Sequence, residues 1–306
     1  TVWLIDELGE RLKFHLNLQV TFYAAGPFPR LRQLWRFLQG QSILVNLARV
    51  KKKELFAGDI DLLACTVDVA QQKSLFFKVQ QAFPELDYYN ADVLSQLELT
   101  ARHHIFPLAR CSLTVHNNTI MSIESHDDPW DIEYELPPLR LMYIEPECDP
   151  FHELPSFIKI EADRSYTVNV QPADRLLKRV RAIINRFDPD IIATAHGDSW
   201  LFPYLMNQCQ QQGIDSFNPC RDKTTRPLVK EPMSYHTYGQ ILYRASQTYL
   251  FGRLHIDSKN LTQIYASGLT GIFEQSRITG MPLQDGARKS PGAGFSAMQV
   301  ITALRE

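Results

Sequence analysis

Leu139-Arg-Leu-Met-Tyr-Ile-Glu-Pro-Glu147 is the stretch of this sequence that decides the fold. Its apolar residues predict a β-strand over 139–144, and this strand runs directly into two carboxylates, Glu145 and Glu147. Side chains two positions apart on a strand point to the same face. Because carboxylate oxygens are the preferred ligands of Mg²⁺, Glu145 and Glu147 are the first candidate catalytic residues and the candidate metal ligands, if any metal binds.

Strands and helices alternate on both sides of this stretch. Downstream, the hydrophobic spacing predicts strands over 156–160 and 191–195 and helices over 173–187, 200–211 and 267–279. Upstream, it predicts strands over 2–5, 12–23, 61–67 and 111–123 (a hairpin), with helices over 27–38, 71–83 and 92–103. Strands interleaved with helices predict an α/β (α+β) fold built on mixed sheets.

The composition divides the chain into three parts. Residues 124–138 are polar, acidic and proline-bearing, which is typical of a linker. We therefore expect a mixed-sheet domain over 1–135, a second domain over 136–284, and a connector over 285–306 that begins rich in glycine and turns and ends in a helix. The chain starts without Met and its last helix has no C-terminal cap, so we expect a fragment cut at a domain edge.

The composition also excludes several classes of protein. No run approaches eighteen apolar residues, and the first residues lack the basic and apolar regions of a signal peptide. The five cysteines are an odd number without a C-x-x-C pair, which indicates neither a disulfide framework nor a zinc site. We expect a cytoplasmic, nucleoid-associated protein with no membrane partner.

The charges are separated along the chain, although the net charge is only −2. Residues 30–53 carry seven basic side chains and no acid, whereas residues 124–163 carry twelve acids against Arg140 and Lys159. Such a distribution would present one face to phosphates and another to cations or a basic partner. The alternative is that both are ordinary solvated faces.

Further stretches follow in a fixed order and carry a family resemblance. They are Leu86-Asp-Tyr-Tyr-Asn-Ala-Asp92, Phe187-Asp-Pro-Asp-Ile-Ile192, Gly252-Arg-Leu-His-Ile-Asp257, Gly271-Ile-Phe-Glu-Gln-Ser-Arg-Ile-Thr-Gly-Met-Pro282 and Ser290-Pro-Gly-Ala-Gly-Phe-Ser-Ala-Met-Gln299. Together with residues 139–147 they resemble the amino-terminal half of a family B DNA polymerase, the DNA polymerase II type included. Within that family, the sequence resembles a diverged branch whose exonuclease domain is degenerate. The resemblance implies that 136–284 form a ribonuclease H-like 3'-5' exonuclease-like domain, and that a polymerase palm starts near the end of the chain.

In that family, the resemblance implies four carboxylates that hold two Mg²⁺ ions for phosphodiester hydrolysis. Glu145 stands where the family has Asp, and Leu201 stands where it has a metal-binding Asp. Asp198 would join Glu145 and Glu147 only after a local shift of register. The family's third signature, Tyr-x-x-x-Asp, is reduced to Tyr265 without its acid, and Asp257 suits a turn or helix cap. We therefore expect an inactive exonuclease that needs no cofactor, with Mg²⁺ required only by surviving nuclease activity or by the palm.

DNA binding would then rest on charge. Lys51, Lys52 and Lys53 are candidate DNA contacts, with a solvated turn as the alternative. Arg288 and Lys289 are candidates for phosphate contact because glycine-rich backbone nearby also offers amides to an anion.

Three hypotheses follow from the sequence. The first is a non-catalytic region that binds and positions DNA for template-directed synthesis in replication or repair by a full-length DNA polymerase. The second is an active exonuclease with a site rebuilt from Glu145, Glu147 and Asp198. The third is an interaction module whose acidic segment docks a replication or repair protein.

Overall fold

The computed structural model describes residues 1–54, 56–213, 217–237, 239–261 and 268–305. Strands are β1 Val2–Ile5, β2 Arg11–Leu16, β3 Gln19–Ala25, β4 Asn46–Glu54, β5 Gly58–Asp68, β6 Asp87–Tyr89, β7 Cys111–His116, β8 Thr119–Ser125, β9 Leu141–Pro146, β10 Phe157–Glu161, β11 Ser165–Asn169, β12 Ile191–Thr194, β13 Leu228–Lys230, β14 Met233–Thr237, β15 Gln240–Arg244, β16 Gln247–Tyr249 and β17 Leu254–Asp257. Helices are α1 Phe28–Gln39, α2 Val69–Ala82, α3 Ser95–His103, α4 Ala173–Phe187, α5 Phe202–Gln211, α6 Gly268–Thr279, α7 Leu283–Gly286 and α8 Pro291–Arg305.

A four-stranded antiparallel sheet with the order β4-β5-β3-β6 forms the core of the amino-terminal part. The chain runs β3-α1-β4-β5-α2-β6, the connectivity of ferredoxin-like folds. Alternate residues of β3, namely Val20, Phe22 and Ala24, pack under Leu34 of α1 and Leu75 of α2. The period-two pattern therefore predicted the strand β3, and the helical spacing predicted the helices α1 and α2 that pack on it.

A second sheet, with the order β1-β2-β8-β7, lies beside the first in the amino-terminal part. The hairpin of β7 and β8 turns at Asn117 and Asn118, both with positive φ, as the sequence predicted. The predicted strand over 12–23 is two strands, because the chain leaves the sheet of β2 after Leu16 and enters the sheet of β3 at Gln19.

The stretch that decides the fold forms the central strand of a five-stranded mixed sheet with the order β11-β10-β9-β12-β17. β9 pairs antiparallel with β10 and parallel with β12, and β12 pairs parallel with β17. Met142 and Ile144 of β9 are buried against Leu176 and Val180 of α4. Mixed sheets with packed helices confirm the predicted fold class, and a ribonuclease H-like sheet is the arrangement expected here.

The end of the chain is more helical than predicted. Residues 285–295 were expected to be turns, but α7 ends at Gly286 and α8 already begins at Pro291. Proline suits the first turn of a helix because the missing N–H has no intrahelical partner there. Ala297 and Ile301 of α8 pack with Leu97 and Ala101 of α3, so this segment contacts the amino-terminal part of the chain.

Two small antiparallel sheets, of β13 with β16 and of β14 with β15, were not predicted. Tyr265 lies outside the described residues, and the domain boundaries at 135 and 284 stay predictions. Among the described residues, no helix combines the length and the apolar character needed to cross a bilayer.

Candidate functional site

A cleft of ≈ 910 Å³ opens at the carboxyl ends of β9 and β12, and Glu145 and Glu147 line it. Because β9, β12 and β17 are parallel, their carboxyl ends meet at one edge of the sheet, where α/β folds place their ligand sites. The other lining residues include Cys148, Asp149, Phe151, His196, Ser199, Tyr243, Ser246 and Lys259. Glu145 and Glu147, which the sequence singled out, therefore line this cleft, and their role in catalysis stays a prediction.

Glu145 and Glu147 lie on the same exposed face of the sheet edge, as their spacing predicted. Each has a competing neighbour. Lys159 of β10 stands directly opposite Glu145 in the antiparallel ladder, where side chains of such a pair are about 5 Å apart at Cβ. The backbone N–H of Ser156 donates to Oε2 of Glu147 at 3.1 Å. The pair is therefore accessible, but Glu145 has Lys159 opposite it on β10, and Glu147 accepts a hydrogen bond from the Ser156 backbone.

Asp198 does not join this pair. It is completely buried, and its carboxylate accepts hydrogen bonds from Thr248 N at 2.6 Å and Asn260 Nδ2 at 2.9 Å. Arg288 Nη2 lies 3.3 Å and His255 Nδ1 3.3 Å from the same carboxylate. Burial would raise the pKa of Asp198, but the hydrogen bond and charge of His255 and the charge of Arg288 lower it overall. A place for Asp198 beside Glu145 and Glu147 would require the local shift of register, because in the structure its oxygens serve an internal ion pair.

Arg288 was expected to contact phosphate, and the structure places it elsewhere. Its side chain is 1% exposed, and it donates to the carbonyl oxygens of His255 and Gln284 at 3.0 and 3.1 Å in addition to facing Asp198. Its guanidinium also lies over the ring of Tyr249. A DNA phosphate has no access to it. Lys289 is partly exposed, with Nζ 3.8 Å from Asp285, so its DNA contact stays a prediction.

Two further positions are structural. Leu201, where the resemblance implies a metal-binding Asp, is 1% exposed and belongs to the main hydrophobic core. Asp257, at the end of β17, accepts hydrogen bonds from the backbone N–H groups of His196, Asp198 and Lys259. The turn role expected for Asp257 matches these contacts.

The donor set does not fit a two-ion centre. Of the carboxylates that the family resemblance implies, Glu145 and Glu147 line the cleft, and these two already have Lys159 and the Ser156 amide as neighbours. Within the part of the chain that the structure describes, no group of three or more His, Cys, Asp and Glu side chains is arranged to hold a metal. We therefore derive no hydrolytic step through metal ions.

The lysine run lies in β4, the edge strand of the first sheet, so the turn expected as an alternative is wrong. Lys51 stands opposite Asp61 and Lys53 opposite Asp59, whereas Lys52 stands opposite Ile60. Alternation along the strand sends Lys52 to one face and Lys51 and Lys53 to the other. All three are exposed, but they do not form a single basic surface, and two of them face acids.

Sequence reasoning missed the aromatic rim of the cleft. Phe151 is 67% and Tyr243 70% exposed, and the ring of Phe151 meets His196 edge to face at 5.9 Å. The exposed rings would offer stacking surfaces to unpaired bases. No local signal identifies them, because Tyr243 lies on the unpredicted strand β15 and Phe151 lies within a turn.

The overall structure is similar to a known polymerase. Superposition on the family B DNA polymerase from the hyperthermophilic archaeon Pyrobaculum calidifontis gives a TM-score of 0.69 with 15% sequence identity. The chain has a family B DNA polymerase fold. The match covers 99% of this chain and 48% of that polymerase, so this chain spans about half of its length. Neither a family model nor a curated protein sequence matches the chain.

Proposed function

We propose that this chain is the amino-terminal and exonuclease-like region of a family B DNA polymerase, and that it binds and positions DNA without cutting it. The polymerase-like fold over nearly the whole chain supports the first half of the proposal. The buried Asp198–Arg288 ion pair supports the absence of cutting, because a buried carboxylate held by a guanidinium is not available to ligate a metal in the cleft. Synthesis itself would belong to a catalytic part outside this chain, and the proposed site of action is the nucleoid.

The cleft suits a DNA end better by shape than by charge. Phe151 and Tyr243 offer rings for base stacking, and Lys259 offers one cation. Against them stand Glu145, Glu147 and Asp149, so the cleft repels phosphates unless cations screen it. We therefore expect DNA to be held mainly by basic surfaces elsewhere.

A nuclease assay tests the proposal. The purified chain should leave end-labelled single-stranded DNA intact in Mg²⁺ or Mn²⁺, while binding it measurably at low salt. The double variant Glu145→Gln/Glu147→Gln is the matched control. Degradation by the wild-type chain that this variant abolishes would establish the rebuilt exonuclease instead. An absence of DNA binding at any salt concentration would refute the positioning role.

The acidic segment favours a second candidate, a docking surface for a basic replication or repair protein. Trp130 is 65% and Ile132 86% exposed among Asp127, Asp128, Asp131, Glu133 and Glu135. Arg277 fixes this segment by donating to the carbonyl oxygens of Pro129 and Asp131. Exposed apolar anchors among charges are typical of protein interfaces. Binding of a lysine-rich peptide that Trp130→Ala abolishes, together with unmeasurable DNA affinity at low salt, would favour this candidate.

A further inference from the structure

Among the helices of the described residues, α4 is the most basic, and it packs on the five-stranded sheet. Leu176, Leu177, Val180, Ile183 and Ile184 bury its inner side against the sheet. Because Met142 and Ile144 point toward α4, their neighbours Tyr143 and Glu145 point to the other face. None of the residues of α4 lines the cleft. We call the outward surface of this helix, made of Arg175, Lys178, Arg179, Ala182, Asn185 and Arg186, the outer face of α4.

The outer face of α4 is charged beyond what its acids neutralise. The helix has five basic residues and one acid, in a chain whose net charge is −2. Lys178 pairs with Asp174 at 3.3 Å, and Arg186 pairs with Asp163 at 2.9 Å. Arg175 and Arg179 are exposed and have no ion-pair partner among the described residues. They lie one helical turn apart on the same side of α4.

The positions of these two arginines are unfavourable for the helix itself. Like charges four residues apart repel each other and destabilise a helix. Arg175 also lies in the first turn of α4, where the helix dipole disfavours a cation. The N-cap, Pro172, supplies no side-chain hydrogen bond that would offset this.

The chemistry of the outer face of α4 selects the ligand. None of the large hydrophobic residues exposed on the described surface lies on α4. Protein interfaces rely on buried aromatic or aliphatic anchors, and membrane-surface helices need an exposed apolar face, so both ligands fit poorly. Unpaired bases need aromatic platforms, which this face also lacks. Guanidinium groups alone suit the phosphates of a duplex, which are contacted without reading sequence.

We propose that Arg175 and Arg179 form a phosphate-contact surface for duplex DNA, distinct from the cleft, whose lining includes neither of them. This inference rests on the proposed function and adds a second DNA surface to it. Each phosphate contact releases counterions, so binding through this surface weakens as salt rises. The contact is independent of DNA sequence.

Titration of a fluorescent duplex with the chain, at several salt concentrations, tests the inference. In Arg175→Gln/Arg179→Gln the slope of log affinity against log salt should fall by roughly two, since each lost contact removes about 0.9. Lys73→Gln/Lys78→Gln on α2 removes the same charge from another exposed helix and should leave the slope unchanged. Arg175→Lys/Arg179→Lys keeps the charge and should retain the wild-type slope. All three variants should have the wild-type urea midpoint within error or above it.

The outcomes separate this inference from the proposed function. If the wild-type chain binds duplex DNA and the double Gln variant keeps the same slope, the surface assignment is overturned while DNA binding stands. If the double Gln variant loses single-stranded and duplex DNA equally, the duplex assignment is overturned. If the wild-type chain binds no DNA at low salt, the proposed function fails, and the inference with it.

Discussion

The proposal that the chain does not cut DNA depends on Asp198. Its carboxylate is wholly buried and faces Arg288, which is 1% exposed. Removal of one partner from a buried ion pair leaves the other charge uncompensated, which costs about 3–5 kcal/mol. Asp198→Asn should therefore lower the free energy of unfolding by about that amount in urea denaturation. Asp174→Asn removes an exposed partner of Lys178 and is the control, with little expected change. A small loss in Asp198→Asn would argue against the buried pair.

Leu201 stands where the family resemblance implies a metal-binding Asp. Introducing an Asp at this position should not create a metal site. Leu201 is 1% exposed in the hydrophobic core, so an ionised Asp would have neither water nor a partner. Leu201→Asp should lose at least about 3 kcal/mol of stability at pH 7 and gain no nuclease activity.

The near-isosteric Leu201→Asn variant separates charge from polarity. Burial raises the pKa of a carboxyl, so the folded Asp variant would bind its proton more tightly than the unfolded chain. The Asp variant should match Asn at pH 4, where both are neutral, and fall below it as pH rises above about 4. Equal urea midpoints at pH 7 would show that position 201 is not buried.

At the scale of single residues, the sequence singled out Glu145 and Glu147, which line the cleft, and Leu201, which is buried in the core. The sequence assigned separate roles to Asp198 and Arg288. The two residues are 90 positions apart in the chain, and a local pattern does not show that they are in contact. Their contact depends on how the segment after α7 returns to β17, which no local pattern encodes. The sequence also did not predict that Lys159 lies beside Glu145, because this position follows from the register of β9 and β10.

The turn between β12 and α5 is the element that keeps Asp198 in place. It begins at His196 with positive φ and continues as a π-helical turn over Gly197–Leu201. A Cβ added at Gly197 would lie 2.0 Å from Oγ1 of Thr194 and 2.6 Å from Nε2 of His255. Those two atoms are hydrogen-bonded to each other at 2.9 Å in the interior. Only glycine lets the turn approach them.

Gly197→Ala should therefore destabilise the protein by about 1–3 kcal/mol through overpacking, measured by thermal or urea unfolding. Gly292→Ala in the first turn of α8 is the matched control. A Cβ there would meet its nearest neighbour, Oγ of Ser290, at 3.8 Å, so a neutral effect or a gain of up to about 1 kcal/mol is expected. Similar values for the two variants would contradict the close packing of the turn.

Among the elements, those with a complete local pattern were predicted best. α4 has its predicted bounds because five apolar residues repeat at helical spacing and Asp188-Pro189 stops the helix. The start of α8 was missed because Pro291-Gly-Ala-Gly294 reads as a turn. Gly294 has a packing reason, since a Cβ there would lie 3.0 Å from Cγ2 of Thr279 in α6. Tertiary packing thus overrode the local preference.

At the scale of the whole molecule, ion pairs connect β2 to the loops around the five-stranded sheet. Arg11 pairs with Asp190 at 2.6 Å and Lys13 with Asp222 at 2.8 Å, from alternate positions of β2. Arg221 also reaches Asp190 at 2.9 Å. The sequence marked Asp188-Pro-Asp190 only as the end of a helix, because a partner 179 residues away leaves no trace in a local pattern. The two parts of the chain are therefore coupled by specific ion pairs, beyond the linker that was predicted between them.

Asp222 makes this coupling depend on pH. The hydrogen bond from Lys13, followed by that from Thr224, lowers the pKa of the Asp222 carboxyl to about 2, and its side chain is 6% exposed. A carboxyl in the unfolded chain has a pKa of about 3.9, so the unfolded state binds the proton more readily. The stabilisation is complete above the unfolded pKa and is lost as pH falls through the folded pKa. At about 1.4 kcal/mol per pKa unit and a difference of nearly two units, it amounts to about 2.6 kcal/mol.

The difference in unfolding free energy between the wild type and Asp222→Asn should therefore be largest at pH 6 and fall to roughly half at pH 3. Urea titrations at both pH values measure it. Asp61→Asn is the control, because Asp61 and its partner Arg49 are 53% and 66% exposed and the pair contributes little at either pH. A difference for Asp222→Asn that stays constant or grows toward pH 3 would show that the Lys13–Asp222 pair does not couple β2 to the rest of the molecule. A difference that shrinks as expected would make acid the means of loosening the amino-terminal part while the hydrophobic core around β9 stays packed.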